Sequence, residues 1–317
     1  MTGKGSKNPP KSTIENLVAG PHSAAFAKHS QTAPNLHVTA SGRPRSFTKD
    51  SPGSIRKSPT VISIDSEEQK TESPDEVEIQ NEDINFEVDS DLENFDKEPE
   101  AWSVTAEPYM LKKMKKNEIK RQDVILELIQ TEGHHVRTLK IMQQVFYRGL
   151  HKVANYPEER LDELFPRIND LVDISARFYR NLRCRQDESA SVKMIGDVIM
   201  KQFGGDNGEL VKQAYGEFVS KHPEAVASYK HYFKTDKKFS NFIKKCHGHR
   251  IVRRLSVPEC FTLVTQRMTK YPLLLEAILK VTKSSNADHK ELQKALLLVK
   301  DATKAVDNAI KDYEKQS

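Results

Sequence analysis

The sequence predicts an all-α chain, an elongated bundle of about six helices preceded by a disordered N-terminal tail. Three observations lead there. Apolar residues recur at helical spacing from about Trp102 to the end of the 317 residues. No run in that part keeps the two-residue alternation of a strand. Before residue 98, by contrast, no helical stripe is sustained.

Residues 1–98 are rich in Ser, Pro, Thr and Lys, and then in Glu and Asp. Such a segment buries too little apolar surface to offset the entropy of ordering, so a disordered regulatory tail is expected. Ser-Pro pairs at Ser51, Ser58 and Ser73, and the string Arg43-Pro-Arg45-Ser46, read either as phosphorylation sites or as what any Ser-rich tail contains. Val61, Ile62, Ser63 and Ile64 precede Asp65-Ser66-Glu67-Glu68. A β-branched core beside acids can add as a strand to a partner's sheet edge, and this one resembles a SUMO-interacting motif; a chance tetrad is the other reading. Residues 99–118 form a linker or leading segment, and 119–315 the helical domain.

The first long helix, about 117–148, carries Val124, Leu128, Glu132, Val136, Leu139 and Met142 on one stripe. The second, about 158–185, carries Leu161, Leu164, Phe165, Ile168, Leu171, Val172 and Phe178, with Pro166 as a kink. Helices at Val192–Phe203 and Glu209–Ser220 are separated by Gly204-Gly205-Asp206-Asn207-Gly208, a strong breaker. Pro223 opens a helix to about Lys245 with Tyr229, Tyr232, Phe233, Phe239 and Phe242 inside it. Pro258 suits a helix first turn, and that helix runs to about Thr282 with Pro272 as an interior kink. The last spans about 288–315, with Leu292, Leu296, Val299, Val306, Ile310 and Tyr313 buried and Lys300, Lys304, Asp307 and Lys311 along one edge.

Charge is sharply divided. Residues 1–64 carry a net +7, 65–100 a net −14 and 101–317 a net +12. A basic bundle behind an acidic tract is the pattern of an interaction protein, with the tract as a masking, autoinhibitory segment. Several classes fall away. No apolar run approaches the ~20 residues of a membrane helix. The N-terminus has no apolar signal core, and Thr2 stands where myristoylation requires glycine. Cys184, Cys246 and Cys260 lack metal-ligand spacing, so no metal is expected and a reducing, cytoplasmic setting is the simplest reading. No phosphate-loop, dinucleotide, zinc-protease or nucleophile-elbow string occurs, so no cofactor is expected. The basic residues are dispersed without an aromatic platform, which argues against nucleic acid as a partner.

Two positions break local rules. Glu132 points along the apolar stripe of the first long helix, where a carboxylate is costly unless paired. Either an internal Arg or Lys satisfies it or the stripe reaches a partner there. On the helix near 258–282, Phe261, Val264, Met268, Tyr271, Leu275 and Ile278 form one face and Glu259, Thr262, Gln266 and Lys270 another, with Leu263 beside it. Pro272 within it costs ~3 kcal/mol in a regular helix interior, and such strain suggests that the bend is used.

Two strings carry a family resemblance. Gln266-Arg-Met-Thr-Lys-Tyr-Pro-Leu-Leu-Leu275 resembles the third signature block of the Dbl-homology (DH) domain, and Lys120 to Met142, with Gln-Thr-Glu132-Gly-His-His inside it, resembles the first. His134-His-Val-Arg-Thr-Leu139, Glu100-Ala-Trp102-Ser, Ile195-Gly-Asp-Val and Arg253-Arg-Leu-Ser-Val-Pro-Glu-Cys260 are most similar to the Lbc-type subfamily of Rho exchange factors. The resemblance spans about residues 100–315. It implies a guanine nucleotide exchange factor that performs no covalent chemistry and stabilises the nucleotide-free form of a Rho-family GTPase by remodelling its switches. It would place Glu132 against the first switch and Gln266 and Lys270 against the second, with Asp307 beside them where many relatives have Asn. Arg254 and Leu255, together with Thr262 and Lys311, would set selectivity for a RhoA-like partner. Trp102 would pack on a switch or cap the bundle. DH domains are normally followed by a pleckstrin-homology domain, so a fragment or short form is expected, with membrane recruitment only through that missing domain. The alternative is an exchange-inactive helical scaffold.

Overall fold

The computed structural model describes residues 99–316. The tail readings therefore lie outside the described residues: the Ser-Pro sites, Val61, Ile62 and Ile64, and nearly all of the acidic tract. Within the described residues every regular element is helical.

The leading segment holds two short helices, α1 (Trp102–Thr105) and α2 (Pro108–Lys113). The first long helix, α3 (Lys116–Lys140), begins where the Lys115 N–H donates to Glu118 Oε2 at 2.9 Å. It passes without a break through a π-helical stretch, Ile141–Tyr147, into α4 (Arg148–Ala154). Asn155, at φ 53°, ends the rod six residues beyond the expected limit of about 148.

The expected second helix is two. α5 (Glu158–Leu164) stops at Phe165, and α6 (Ile168–Asp187) starts after Pro166 and Arg167. Pro166 lies in a true break rather than a kink, because Arg167 takes φ 55° and buried Phe165 turns inward to stack on Phe261. The glycine-rich string is also shorter as a breaker than expected. α7 (Gly196–Phe203) and α8 (Gly205–Ser220) are separated by Gly204 alone, so Gly205 to Gly208 form the first turn of α8. A Cβ at residue 208 would lie 2.3 Å from the Phe203 carbonyl oxygen, so this close turn requires glycine. The helix expected from Pro223 to Lys245 likewise divides into α9 (His222–Thr235) and α10 (Lys237–Gly248). Asp236 makes the division: extended at φ −114°, it accepts the Phe239 N–H as an N-cap and the Tyr156 hydroxyl at 2.6 Å.

α11 (Val257–Val281) and α12 (Asp288–Gln316) match their expected spans within two residues. Ser256 and Glu259 close a reciprocal capping box at the start of α11. Pro272 sits inside α11 and deprives the Met268 carbonyl of its intrahelical donor. Thr303 of α12 stands 3.4 Å from that carbonyl, sharing its hydroxyl with Val299 O at 2.9 Å.

α3 packs on α6 and α11, and α12 on α7, α8 and α11. One core joins them, with Phe165, Phe218, Phe261 and His222 stacked at one level and Phe178, Phe203 and Tyr271 edge to face at another. All three cysteines are free; Cys246 and Cys260 are buried, which pushes each thiol up to about 12. No described helix is long and apolar enough to cross a membrane.

Candidate functional site

α11 runs between α3 and α12 and leaves one stripe uncovered. Phe261, Val264, Met268, Tyr271, Leu275 and Ile278 are buried, whereas Thr262, Leu263, Gln266, Lys270 and Leu273 are exposed. Leu273 keeps 58% and Leu263 45% of its surface, unusual for leucines on a packed helix. Polar and cationic groups therefore alternate with apolar ones along the free stripe, a surface suited to a protein partner rather than to bulk water alone.

Arg267 ties this helix to α3. Its guanidinium donates to Glu132 Oε2 from Nε at 3.0 Å and from Nη2 at 2.6 Å, and Tyr271 Oη donates to the same oxygen at 2.8 Å. Arg267 also stacks 4.4 Å from the Tyr271 ring centroid. Burial opposes its charge, but Glu132 and Tyr271 outweigh that and hold the guanidinium pKa above its ordinary value. Burial, with Glu132 next, pushes the Tyr271 hydroxyl pKa well up.

Glu132 itself is fully buried. The alternative left open by its sequence is decided in favour of an internal arginine, and its expected contact with a partner's switch is corrected: a carboxylate with no accessible surface cannot touch another protein. An exposed carboxylate lies five residues earlier on α3, at Glu127. The Thr131 hydroxyl donates to the Glu127 carbonyl at 2.6 Å and accepts from Arg267 Nη1 at 2.8 Å, so this turn of α3 is locked to α11 beside Gln266 and Lys270. Sequence reasoning passed over Glu127 because it lies off the apolar stripe. That was the usable signal, since a charge at the border of a stripe is free to face a partner and a charge within it must be paired.

On the other flank, Asp307 lies one turn beyond Thr303, the residue that reaches α11. Asp307 and Lys311 are exposed. Partial desolvation raises the Asp307 carboxyl pKa, and Lys311 opposes this. Thr262 turns its hydroxyl back to the Pro258 carbonyl at 3.0 Å. Arg254 is exposed in the loop that enters α11, while its neighbour Leu255 is half-buried against the core. Trp102 is engaged with the bundle: its indole N–H donates to the Ala190 carbonyl at 3.1 Å, beside a cavity of about 180 Å³ that Gln122, Ile125 and Ile129 also line. The capping alternative for Trp102 is the one this arrangement favours.

The seam of α3, α11 and α12 thus brings together Glu127, Gln266, Lys270 and Asp307, leaves Glu132 inside, and carries Arg254 at the entry to α11. The family model described as RhoGEF domain matches residues 124–307, which include all of these. Rho guanine nucleotide exchange factor 18 of Mus musculus is 44% identical over 73% of this chain, and Rho guanine nucleotide exchange factor 28 of Homo sapiens is 40% identical over 72%. The chain spans 17% and 14% of the length of those two proteins. Among solved structures, the DH/PH domains of PDZ-RhoGEF with GTP-γ-S activated RhoA match at TM-score 0.64 and 31% identity, covering 68% of this chain and 59% of that one. The DH/PH domains of p115-RhoGEF match at TM-score 0.65 and 29% identity, covering 69% and 59%. With its helices, its seam and its sequence in agreement, the chain belongs to the RhoGEF (DH) domain family.

Proposed function

We propose that this chain promotes guanine nucleotide exchange on a Rho-family GTPase of RhoA type. The observation that carries the reading is the free stripe of α11, with Gln266 and Lys270 framed by the carboxylates Glu127 and Asp307. Opposite charges on one rigid surface, spread over three helices, suit the reshaping of a partner's loops. No bond need be made or broken. A protein that binds the nucleotide-free GTPase more tightly than the loaded one weakens nucleotide binding by the same factor, so GDP is released. In this reading Glu127 takes the first-switch contact that the resemblance gave to Glu132. Gln266 and Lys270 meet the second switch, with Asp307, Lys311 and Thr262 at its margin. Arg254 supplies selectivity by facing partner carboxylates, and Leu255 adds apolar contact with its free half. The match to a PDZ-RhoGEF fragment solved with RhoA supports the choice of partner.

Release of fluorescent GDP from RhoA, a Rac and a Cdc-type GTPase tests this with residues 100–317. Acceleration is expected on RhoA, with a loss of at least ~10-fold in Glu127→Ala and in Lys270→Ala, the scale of removing one interfacial charge contact. Absence of acceleration on all three GTPases by a folded protein would overturn the reading. Binding to nucleotide-free RhoA would then mark an incomplete exchange factor, and no binding would mark a scaffold.

A further inference from the structure

The loop between α10 and α11 contains an arrangement that backbone chemistry disfavours. Arg253 and Arg254 take φ 52° and 63° in succession, and the Leu255 N–H closes onto the Val252 carbonyl at 2.9 Å. Two successive positive φ values under such a bond are the signature of a type I′ turn, whose central positions are ordinarily Asn or Gly. Side chains with a Cβ are strained there, and such strain persists only where the surroundings over-determine it.

Those surroundings are visible. Before the turn, Ile251 and Val252 are buried, and the Ile251 N–H donates to His249 Nδ1 at 3.3 Å. After it, Leu255 rests on the core and Ser256 enters the capping box of α11. From the side, Arg137 of α3 donates Nη2 to the Ile251 carbonyl at 2.5 Å, a bond spanning 114 residues of sequence. Arg137 is half-buried, and the two arginines of the turn are exposed.

We propose that Arg137 is a positioning residue for partner selectivity: by holding the Ile251 carbonyl it keeps the Arg253–Arg254 turn in its left-handed form and aims Arg254 at acidic side chains of the GTPase. This rests on the reading of Arg254 as a selectivity contact. A preorganised turn presents its charge without loss of loop entropy on binding, so its effect falls on affinity for the partner and not on the turnover step.

A double-mutant cycle decides it. Exchange on RhoA and on a Rac is measured for the parent chain, Arg137→Ala, Arg254→Ala and the double variant, with Arg137→Lys as the conservative change. Arg137→Ala should lower kcat/KM on RhoA roughly 5- to 10-fold, mainly through KM, and narrow the RhoA-to-Rac ratio. In the Arg254→Ala background the same change should have almost no effect. Arg137→Lys should recover part of the loss. Equal losses from Arg137→Ala in both backgrounds, or equal losses on both GTPases, would show a merely structural role and overturn the proposal. If Arg137→Ala does not fold, Arg137→Met keeps the buried stem and enters the same cycle. A silent Arg254→Ala in an otherwise active protein would remove the selectivity reading, and this inference with it. A parent chain without exchange activity would remove both at the earlier step.

Discussion

The bundle contains two buried arginine–carboxylate pairs that look alike in isolation and are built differently. Arg121 and Asp288 meet at 2.5 Å, and Arg267 and Glu132 at 2.6 Å. Around the first pair several further bonds close. Asp288 also accepts the backbone N–H groups of Ile195 and Gly196, and Arg121 donates to Thr282 and to the carbonyls of Val192 and Lys193. One carboxylate thereby joins the start of α12, the entry to α7 and the first turns of α3. The second pair is less complete, because Glu132 Oε1 is buried with no hydrogen-bond partner among the described residues. A buried charge is tolerated in proportion to the bonds that replace its water. The first pair is therefore a structural joint. The second, directly beneath the free stripe of α11, holds that surface in register with Glu127 at some expense in satisfaction.

The largest effect that separates them is Asp288→Ala. It leaves the Arg121 guanidinium buried without its counter-charge and frees two backbone donors, so a loss of about 4 kcal/mol is expected. Urea unfolding of residues 100–317 would measure it, and hydrogen exchange at the Ile195 and Gly196 amides should accelerate strongly. A loss under about 1 kcal/mol would mean that the joint carries little of the fold's stability.

Glu132→Gln should be milder. The amide keeps the shape and one acceptor for Tyr271 and Arg267, but it removes the counter-charge of the buried Arg267 and sets an NH2 group where Oε1 has no partner, so about 3 kcal/mol is expected. Measured where the variant is fully folded, exchange on RhoA should remain within about twofold of the parent, because the residue does not reach the surface. A folded Glu132→Gln protein without exchange would return this carboxylate to the partner interface and undo the contrast with Glu127.

The unequal legibility of the sequence has the same origin as the contrast. α11 could be read closely, since its boundaries are set by local chemistry: Ser256 and Glu259 cap it, and its two faces follow the helical period. The division of α9 from α10 could not, because Asp236 is held by Tyr156, eighty residues away. The break at Phe165 depends likewise on Phe261. At the site, Gln266 and Lys270 were legible as an exposed stripe, and Glu132 as an anomaly. The direction of the anomaly was not, since its partner Arg267 lies 135 residues further on and only tertiary packing brings the two together. Periodicity shows where a charge is costly, but it does not show which distant residue offsets that cost.

The smallest effect concerns pH and is confined to the second pair's surroundings. His135, one turn after Glu132 on α3, is buried, and its Nε2 lies 2.6 Å from Tyr215 Oη, which in turn lies 3.0 Å from Ser175 Oγ. Burial, and then the nearby Arg267 charge, holds the His135 pKa well below its ordinary 6.5. The unfolded chain therefore takes up this proton at a higher pH than the folded one. Between the depressed folded value and 6.5 the unfolded state binds more protons, so stability falls as pH drops through that window and is level above it. The slope from one such group reaches about 1.4 kcal/mol per pH unit. Urea midpoints at a series of pH values from 7.5 down to 5 (set by the expected window) would be compared between the parent and His135→Gln, whose amide can still bond Tyr215. All other titrating groups are common to the two chains, so the difference in slope belongs to His135. Parallel slopes would mean that His135 takes up its proton at the same pH in the folded protein as in the unfolded chain. The Arg267 charge beside it would then need a counter-charge fuller than the half-satisfied Glu132 supplies, and the distinction between the two buried pairs would be weaker than their bonding suggests.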